Sequence, residues 1–443
     1  MHKKLWFKIH WILGVVAGVF LLLIGVSGAI LSFQKEITKF INQDSFYITV
    51  PENKARLSTT ELLNNFQTKF PEAKISGITF SSDVESSSII SVESKDKNAR
   101  GGKRYYVNPY DGEILPDVKG NEFFTFIRMF HRWFAFEGDL RAIGKQVVAI
   151  STICLIILSI TGLIIYWPRV KRSFFKSFTF SFKHNGRAFL STMHSAVGMW
   201  VLIFYLLASL TGLYWSYDWY RAMLYNIAGV EQPVRKMPQP NQQQAQMNQQ
   251  NMQKMQAEKS QNNRPEKATN ENDEDEAQTQ KGQRPDRLNN EQKIQGDRGQ
   301  NSDNQVREIP KPNFENHEKA VLLFNNFVQR AYSNASVTFP QKGTVYKFNY
   351  LDANATHFRE TNSLEVDINT EKMIKHDRFE NLGLNEQLLK SILPLHSGEY
   401  FGIIGQTLMF ISCLLMILFT VTGYMLYINR HKKKNSKTQK QKI

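Results

Sequence analysis

Apolar residues in this chain are segregated into four long runs, 11–33, 144–167, 195–217 and 402–428, each almost free of charge. About 20 such residues cross a bilayer core as an α-helix, so the pattern predicts four transmembrane helices. The interval after the first run reads differently. Leu62, Leu63, Phe66 and Phe70 recur at helical spacing until Pro71 stops the helix. Short runs at 75–80, 88–93 and 103–108 predict strands, and Pro109-Tyr110-Asp111-Gly112 predicts a turn before 113–115 resumes the sheet. After the third run the same order returns, with a helix carried by Ala320, Leu323, Phe324 and Phe327 and strands expected at 337–339, 345–350, 358–360 and 364–368.

The repetition extends to single residues. His10 is followed after four positions by Gly14 and after eighteen by Gly28, and His194 by Gly198 and Gly212 at the same intervals. The second and fourth runs close in Thr161-Gly162 and Thr422-Gly423, and His131 and His396 precede them. Residues 366–374 align with 107–115, so the repeat includes the segments outside the membrane. The expected architecture is an α-helical membrane protein: a four-transmembrane-helix bundle from two repeated halves, carrying two extracytoplasmic α+β modules. Its expected divisions are helix 1 at 1–34, a first module at 35–130, helix 2 with an outer extension at 131–168, and a basic loop at 169–191. Helix 3 follows at 192–217, a connector at 218–238, an insertion at 239–304, a second module at 305–395, helix 4 at 396–428 and a basic tail at 429–443.

Composition changes this picture in three places. The formal charge of +15 is concentrated beside the apolar runs, in Lys3, Lys4 and Lys8, in Arg169 to Arg187, and in Arg430 to Lys434, which argues for membrane orientation rather than nucleic-acid binding. Both termini and the 169–191 loop are therefore expected in the cytoplasm, and helix 1 is expected to be retained rather than cleaved as a signal peptide. The two cysteines, Cys154 and Cys413, both fall in apolar runs, which excludes a disulfide framework, a thiolate-bound iron–sulfur cluster and a covalently attached haem. The Gln- and Asn-rich stretch 239–304 has almost no aliphatic residues and is expected to be disordered. Its Met247, Met252 and Met255 are too loosely spaced for a copper(I) site.

On a helical wheel His10, Gly14, Gly18, Gly25 and Gly28 fall within about an 80° arc, and His194, Gly198, Ser209 and Gly212 share the equivalent arc. Small-residue faces commonly serve close helix packing. Ionisable groups at membrane depth are costly and point to function. A histidine beside glycines that leave room for a flat ring suits axial ligation of haem. With His10 and His194 near the cytoplasmic ends and His131 and His396 on the outer side, the expectation is two non-covalent b-type haems, each held by two histidines. Gly14 and Gly198 would face haem, and the four histidines would bind its iron. Arg128, Arg132, Arg141 and Lys145 surround the outer position as possible propionate partners, against the plainer reading of interfacial anchoring beside Trp133. Since His131 and His396 stand thirteen and six residues before their runs, either the helices extend outward or the segments fold back. His184, His317, His357 and His376 carry no expected role.

These features resemble the PepSY-associated transmembrane family, on His10 to Gly28, Phe130-His131-Arg132-Trp133 with Thr161-Gly162, His194 to Gly212, Leu395-His396-Ser397-Gly398 with Thr422-Gly423, and the 107–114 turn. The second module departs from the pattern in having Thr370-Glu371 where the first has Asp111-Gly112. The resemblance implies PepSY-like outer modules and a bacterial inner-membrane location. It further implies a link to iron uptake, in which a di-haem oxidoreductase takes electrons from an unidentified cytoplasmic or membrane donor and reduces a ferric siderophore or other ferric chelate outside. The alternatives are a non-catalytic PepSY regulatory or envelope-sensing protein, which has no use for four histidines, and a His/Met metal transporter, for which the helices lack an acidic relay.

Overall fold

The computed structural model describes residues 2–94, 102–233, 314–340 and 343–440. The expected disordered stretch 239–304, with its three methionines, lies outside them. The segments 2–232 and 314–440 belong to one compact unit.

Among the described residues four helices are long and apolar enough to cross a membrane, within the spans Lys4–Ser32, Leu140–Arg172, Gly186–Ser216 and Glu399–Arg430. The chain runs α1 (His2–Ser32), α2 (Gln34–Ile41), α3 (Gln43–Phe46), α4 (Thr59–Lys69), β1 (Ile75–Ser81), β2 (Ser88–Val92), β3 (Lys103–Val107), α5 (Asn121–Trp133), α6 (Leu140–Arg172), α7 (Gly186–Ser216) and α8 (Asp218–Ala228). It resumes with α9 (Glu315–Val328), β4 (Tyr332–Thr338), β5 (Val345–Asp352), β6 (Thr361–Asp367), β7 (Lys372–Asp377), α10 (Leu384–Lys390), α11 (Ile392–Ser397) and α12 (Gly402–Lys440). The strand expected at 358–360 is absent, and β6 begins only at Thr361.

The membrane helices form a ring in which α1 packs on α6 and α12, and α7 packs on the same two. Helices α1 and α7 are therefore diagonal partners facing each other across the bundle. The α1–α12 crossing is tight because Gly25 has no side chain. A Cβ there would stand 2.8 Å from the Cβ of Met416 and 3.0 Å from the Cys413 carbonyl oxygen. Side chains then reach across to backbone carbonyls: the Tyr424 hydroxyl donates to Val15 O (2.6 Å), Thr420 to Gly18 O (3.2 Å) and the Gln406 amide to Ser32 O (2.7 Å). Without water to compete, interhelical hydrogen bonds and close packing of small residues hold such helices together.

Outside the bundle, the two expected modules share one antiparallel sheet of order β3-β2-β1-β4-β5-β6-β7. The join is the β1–β4 pairing, in which Ile78 faces Val337 and Phe80 faces Ala335. It depends on Gly77, where a Cβ would come within 2.3 Å of the Val337 carbonyl oxygen. Helix α4, opened by a capping box in which Ser58 and Glu61 each bond the other's backbone N–H, lays Leu62, Leu63 and Phe66 on this sheet. Helix α9 adds Ala320, Phe324 and Val328 to the same core, with Phe324 stacked on Phe348 at 4.6 Å.

The turn at 366–371 matches that at 107–112 despite its different sequence. Asn108 Oδ1 accepts from Tyr110 N, and Asp367 Oδ1 accepts from Asn369 N, the same side-chain-capped turn. Glu371 takes a positive φ of 54° where Gly112 has 73°.

His317 is buried in this core against Phe339, with no hydrogen-bond partner for either ring nitrogen. Burial pushes its pKa down from 6.5 to about 4. Above pH 6.5 neither folded nor unfolded chain protonates this ring, so the fold keeps its full stability. As pH falls from 6.5 towards 4 only the unfolded chain takes up the proton, which costs about 1.4 kcal/mol per pH unit. His317→Leu is expected to flatten this acid sensitivity and, by removing two unpaired buried nitrogens, to stabilise the outer unit by about 1–3 kcal/mol. Thermal unfolding at pH 5 and 7.5 checks it: an equal shift in midpoint at both pH values would contradict the titration argument.

Candidate functional site

Four histidines converge as two pairs. His10 and His194, on the diagonal helices α1 and α7, have ring centroids 6.4 Å apart and planes at 79°. His131, in α5, and His396, in α11, have centroids 6.2 Å apart and planes at 68°. The second pair reaches its place without any extension of the membrane helices. Helix α5 stops at Phe134 and Ala135, both at positive φ, and α6 starts afresh. Helix α11 stops at Gly398, and α12 begins at Gly402. Two glycines set these segments against the helices that follow. A Cβ on Gly144 would lie 2.2 Å from the Trp133 carbonyl oxygen, and one on Gly405 would lie 2.5 Å from the Gly398 carbonyl oxygen and 2.5 Å from the Cβ of Phe401. Each of those carbonyls belongs to the residue two places after a paired histidine.

Every histidine is oriented by a hydroxyl in the adjoining helix. His10 Nδ1 is 2.9 Å from Thr161 Oγ1, His194 Nδ1 2.7 Å from Thr422 Oγ1, and His396 Nδ1 3.0 Å from Thr211 Oγ1. His131 Nδ1 lies 3.1 Å from Ser27 Oγ and 3.0 Å from Ile24 O. These hydroxyls donate their own protons back along their helices, Thr161 to Ile157 O, Thr422 to Leu418 O, Thr211 to Leu207 O and Ser27 to Leu23 O. Each hydroxyl oxygen is left as an acceptor, so Nδ1 of each histidine carries the hydrogen and donates it. That assignment leaves an unprotonated lone pair on all four Nε2 atoms, the form in which imidazole binds a metal.

The exchange is reciprocal within each half. Helix α1 supplies His10 and holds His131, while α6 holds His10; helix α7 supplies His194 and holds His396, while α12 holds His194. Three of the glycines that follow the hydroxyls lie flat against the ring so held. An added Cβ would meet Cε1 of His10 at 3.3 Å from Gly162, of His131 at 3.2 Å from Gly28 and of His396 at 3.3 Å from Gly212. Gly423 has nothing within 4 Å of such a position. The sequence signal for these serine and threonine partners is the hydroxyl-glycine pair that closes every apolar run.

Between the first pair is a cavity of about 670 Å³, lined by His10, His194, Gly14, Gly18, Gly162, Gly198 and Gly423. Ligand sites in proteins commonly span about 300–1,000 Å³. Leu21, Val201, Tyr205, Met416 and Phe419 close its deep end. The possible propionate partners named for the outer pair, Arg128, Arg132, Arg141 and Lys145, lie on α5 and the first turns of α6. Arg141 and Arg132 lie over the Trp133 ring, 4.2 and 5.1 Å from its centroid, as interfacial anchors do, and Arg128 is exposed. Two of the unassigned histidines have local partners: His376 Nε2 is 2.8 Å from the Tyr350 hydroxyl, and His357 packs beside Tyr400.

The family model described as the PepSY-associated TM region matches residues 7–430. The chain belongs to this family. It is a membrane protein, and the match contains both histidine pairs and all four hydroxyls that orient them. No curated protein matches the chain.

Proposed function

We propose that this PepSY-associated protein carries two b-type haems, one on His10 and His194 and one on His131 and His396, and passes electrons through them across the membrane. The observation that carries this reading is the paired geometry. Two metal–nitrogen bonds of about 2 Å and two ring radii of about 1 Å would put imidazoles that share one metal about 6 Å apart between centroids, close to the 6.4 and 6.2 Å separations in the chain. His10 with His194, and His131 with His396, would each supply the two imidazoles that hold a haem iron. A bare ion would ask for further protein donors, and among the described residues no group of three or more His, Cys, Asp or Glu side chains comes together.

Haem supplies one-electron redox chemistry when bound. The protein's share is to hold Nε2 of each histidine unprotonated, to fix ring orientation through Thr161, Thr422, Thr211 and Ser27, and to keep water out with apolar helices. His10 to Ser27 and His194 to Thr211 are both 17 residues, so the two sites are offset by about 25 Å along the bundle. We read the basic loop and tail as cytoplasmic, the two halves as repeats and the outer sheet as PepSY-like modules facing the periplasm. The substrate is then a ferric siderophore or similar ferric chelate at the sheet end, each ferric ion taking one electron from a cytoplasmic or membrane donor. Reduction to the ferrous state weakens hard-oxygen chelation and frees the metal.

The test is an absorption spectrum of the full chain purified after expression with ample haem. The expected result is a low-spin Soret band with about two extractable haems per chain. A preparation without haem would sink the proposal, and one haem per chain would limit it to a single pair.

A further inference from the structure

The cavity between His10 and His194 is chemically lopsided. Its deep end is apolar, whereas Arg187, Arg430, Tyr166 and Tyr427 line the end nearest the chain termini. Arg187 precedes His194 by seven residues and Arg430 follows Thr422 by eight, so both guanidiniums start about 10–12 Å along the bundle from the ring plane. Arg430 is held there by the ring of Phe7, 4.8 Å from its centroid.

Among the described residues no carboxylate forms an ion pair with either guanidinium. The segments 1–35, 140–217 and 400–443 contain no Asp or Glu at all. Arg187 also stands in the first turn of the 31-residue helix α7, where backbone N–H groups and the helix dipole add to the attraction for an anion. A flat ligand with an apolar body and carboxylates along one edge is what this combination accommodates, and haem has that form.

Resting on the di-haem reading, we propose that Arg187 and Arg430 recognise the two propionates of the His10/His194 haem and so fix which edge of the macrocycle faces the membrane surface. Bidentate pairing suits guanidinium and carboxylate.

The test uses the full chain with His396→Ala, which confines binding to the His10/His194 pair. Haem and its dimethyl ester, which lacks the carboxylates, are titrated into the haem-depleted protein and followed at the Soret band. The parent is expected to bind the ester about tenfold more weakly than haem, the scale of a lost charge-assisted hydrogen bond. Arg187→Gln with Arg430→Gln is expected to weaken haem by a similar factor and to abolish the discrimination, while Arg187→Lys with Arg430→Lys restores part of it. A low-spin spectrum in the glutamine variant shows that the histidine pair is still assembled. Equal affinity for haem and ester in the parent, or undiminished discrimination in the glutamine variant, overturns the inference while leaving the di-haem reading intact; the second result would assign these arginines to lipid headgroups. Failure of the parent to bind either compound overturns both.

Discussion

Replacing His194 with alanine is expected to reduce haem content from about two per chain to about one, and the remaining haem is expected to keep a low-spin spectrum. The two pairs share no residue, and the hydroxyl that orients each ring belongs to one pair only. Loss of His194 leaves His10 with a single imidazole and an oversized cavity, whereas His131 and His396 keep Ser27 and Thr211. The same change at His396 should remove the other haem. Extracted haem per chain, measured beside the spectrum, decides the matter. A loss of both haems on either substitution would mean that the pairs are not independent sites, and an unchanged content would remove His194 from the ligand set.

Gly405→Val and Gly144→Val are expected to abolish binding at the His131/His396 pair while sparing the pair at His10 and His194. A side chain at 405 would overlap Gly398 O and the Cβ of Phe401, each at 2.5 Å, and one at 144 would overlap Trp133 O at 2.2 Å. Backbone carbonyls cannot swing aside as flexible side chains can. Overpacking of this kind costs about 1–3 kcal/mol, and here the relief is to push α5 or α11 away from the bundle. Centroids about 6 Å apart leave no slack for that shift. The readout is again haem stoichiometry, with a second measurement of helical content to show that the bundle persists. Retention of both haems would show that the segments adjust without moving their histidines.

Local periodicity made the membrane helices, α4 and most strands legible, because each rests on neighbours within a few residues. The repeat made the histidine pairs legible, since residues at matching intervals must occupy matching positions. Three features were hidden for a common reason: they depend on partners remote in sequence. The β1–β4 pairing joins residues some 250 positions apart, and nothing in 75–81 distinguishes an edge strand from a central one. The breaks that make α5 and α11 separate helices rely on Phe134 and Ala135 adopting positive φ, a conformation that those residue types do not advertise. His317 looked like one more polar residue at the start of an amphipathic helix, yet its face is the one turned to Phe339 and Tyr346.

The seven-stranded sheet also constrains how the protein can be made. During synthesis the first half emerges with β1, β2 and β3 complete and the outer edge of β1 open, its backbone groups from Gly77 to Ser81 waiting for β4. An open edge is a template for pairing with any available strand, including that of another nascent chain. The edge is closed only when Tyr332–Thr338 arrives, after α6, α7 and the whole intervening stretch have been translated. A chain truncated before residue 332 should therefore accumulate as aggregates or be degraded, even though three of its four membrane helices, the His10/His194 pair and His131 would already be in place.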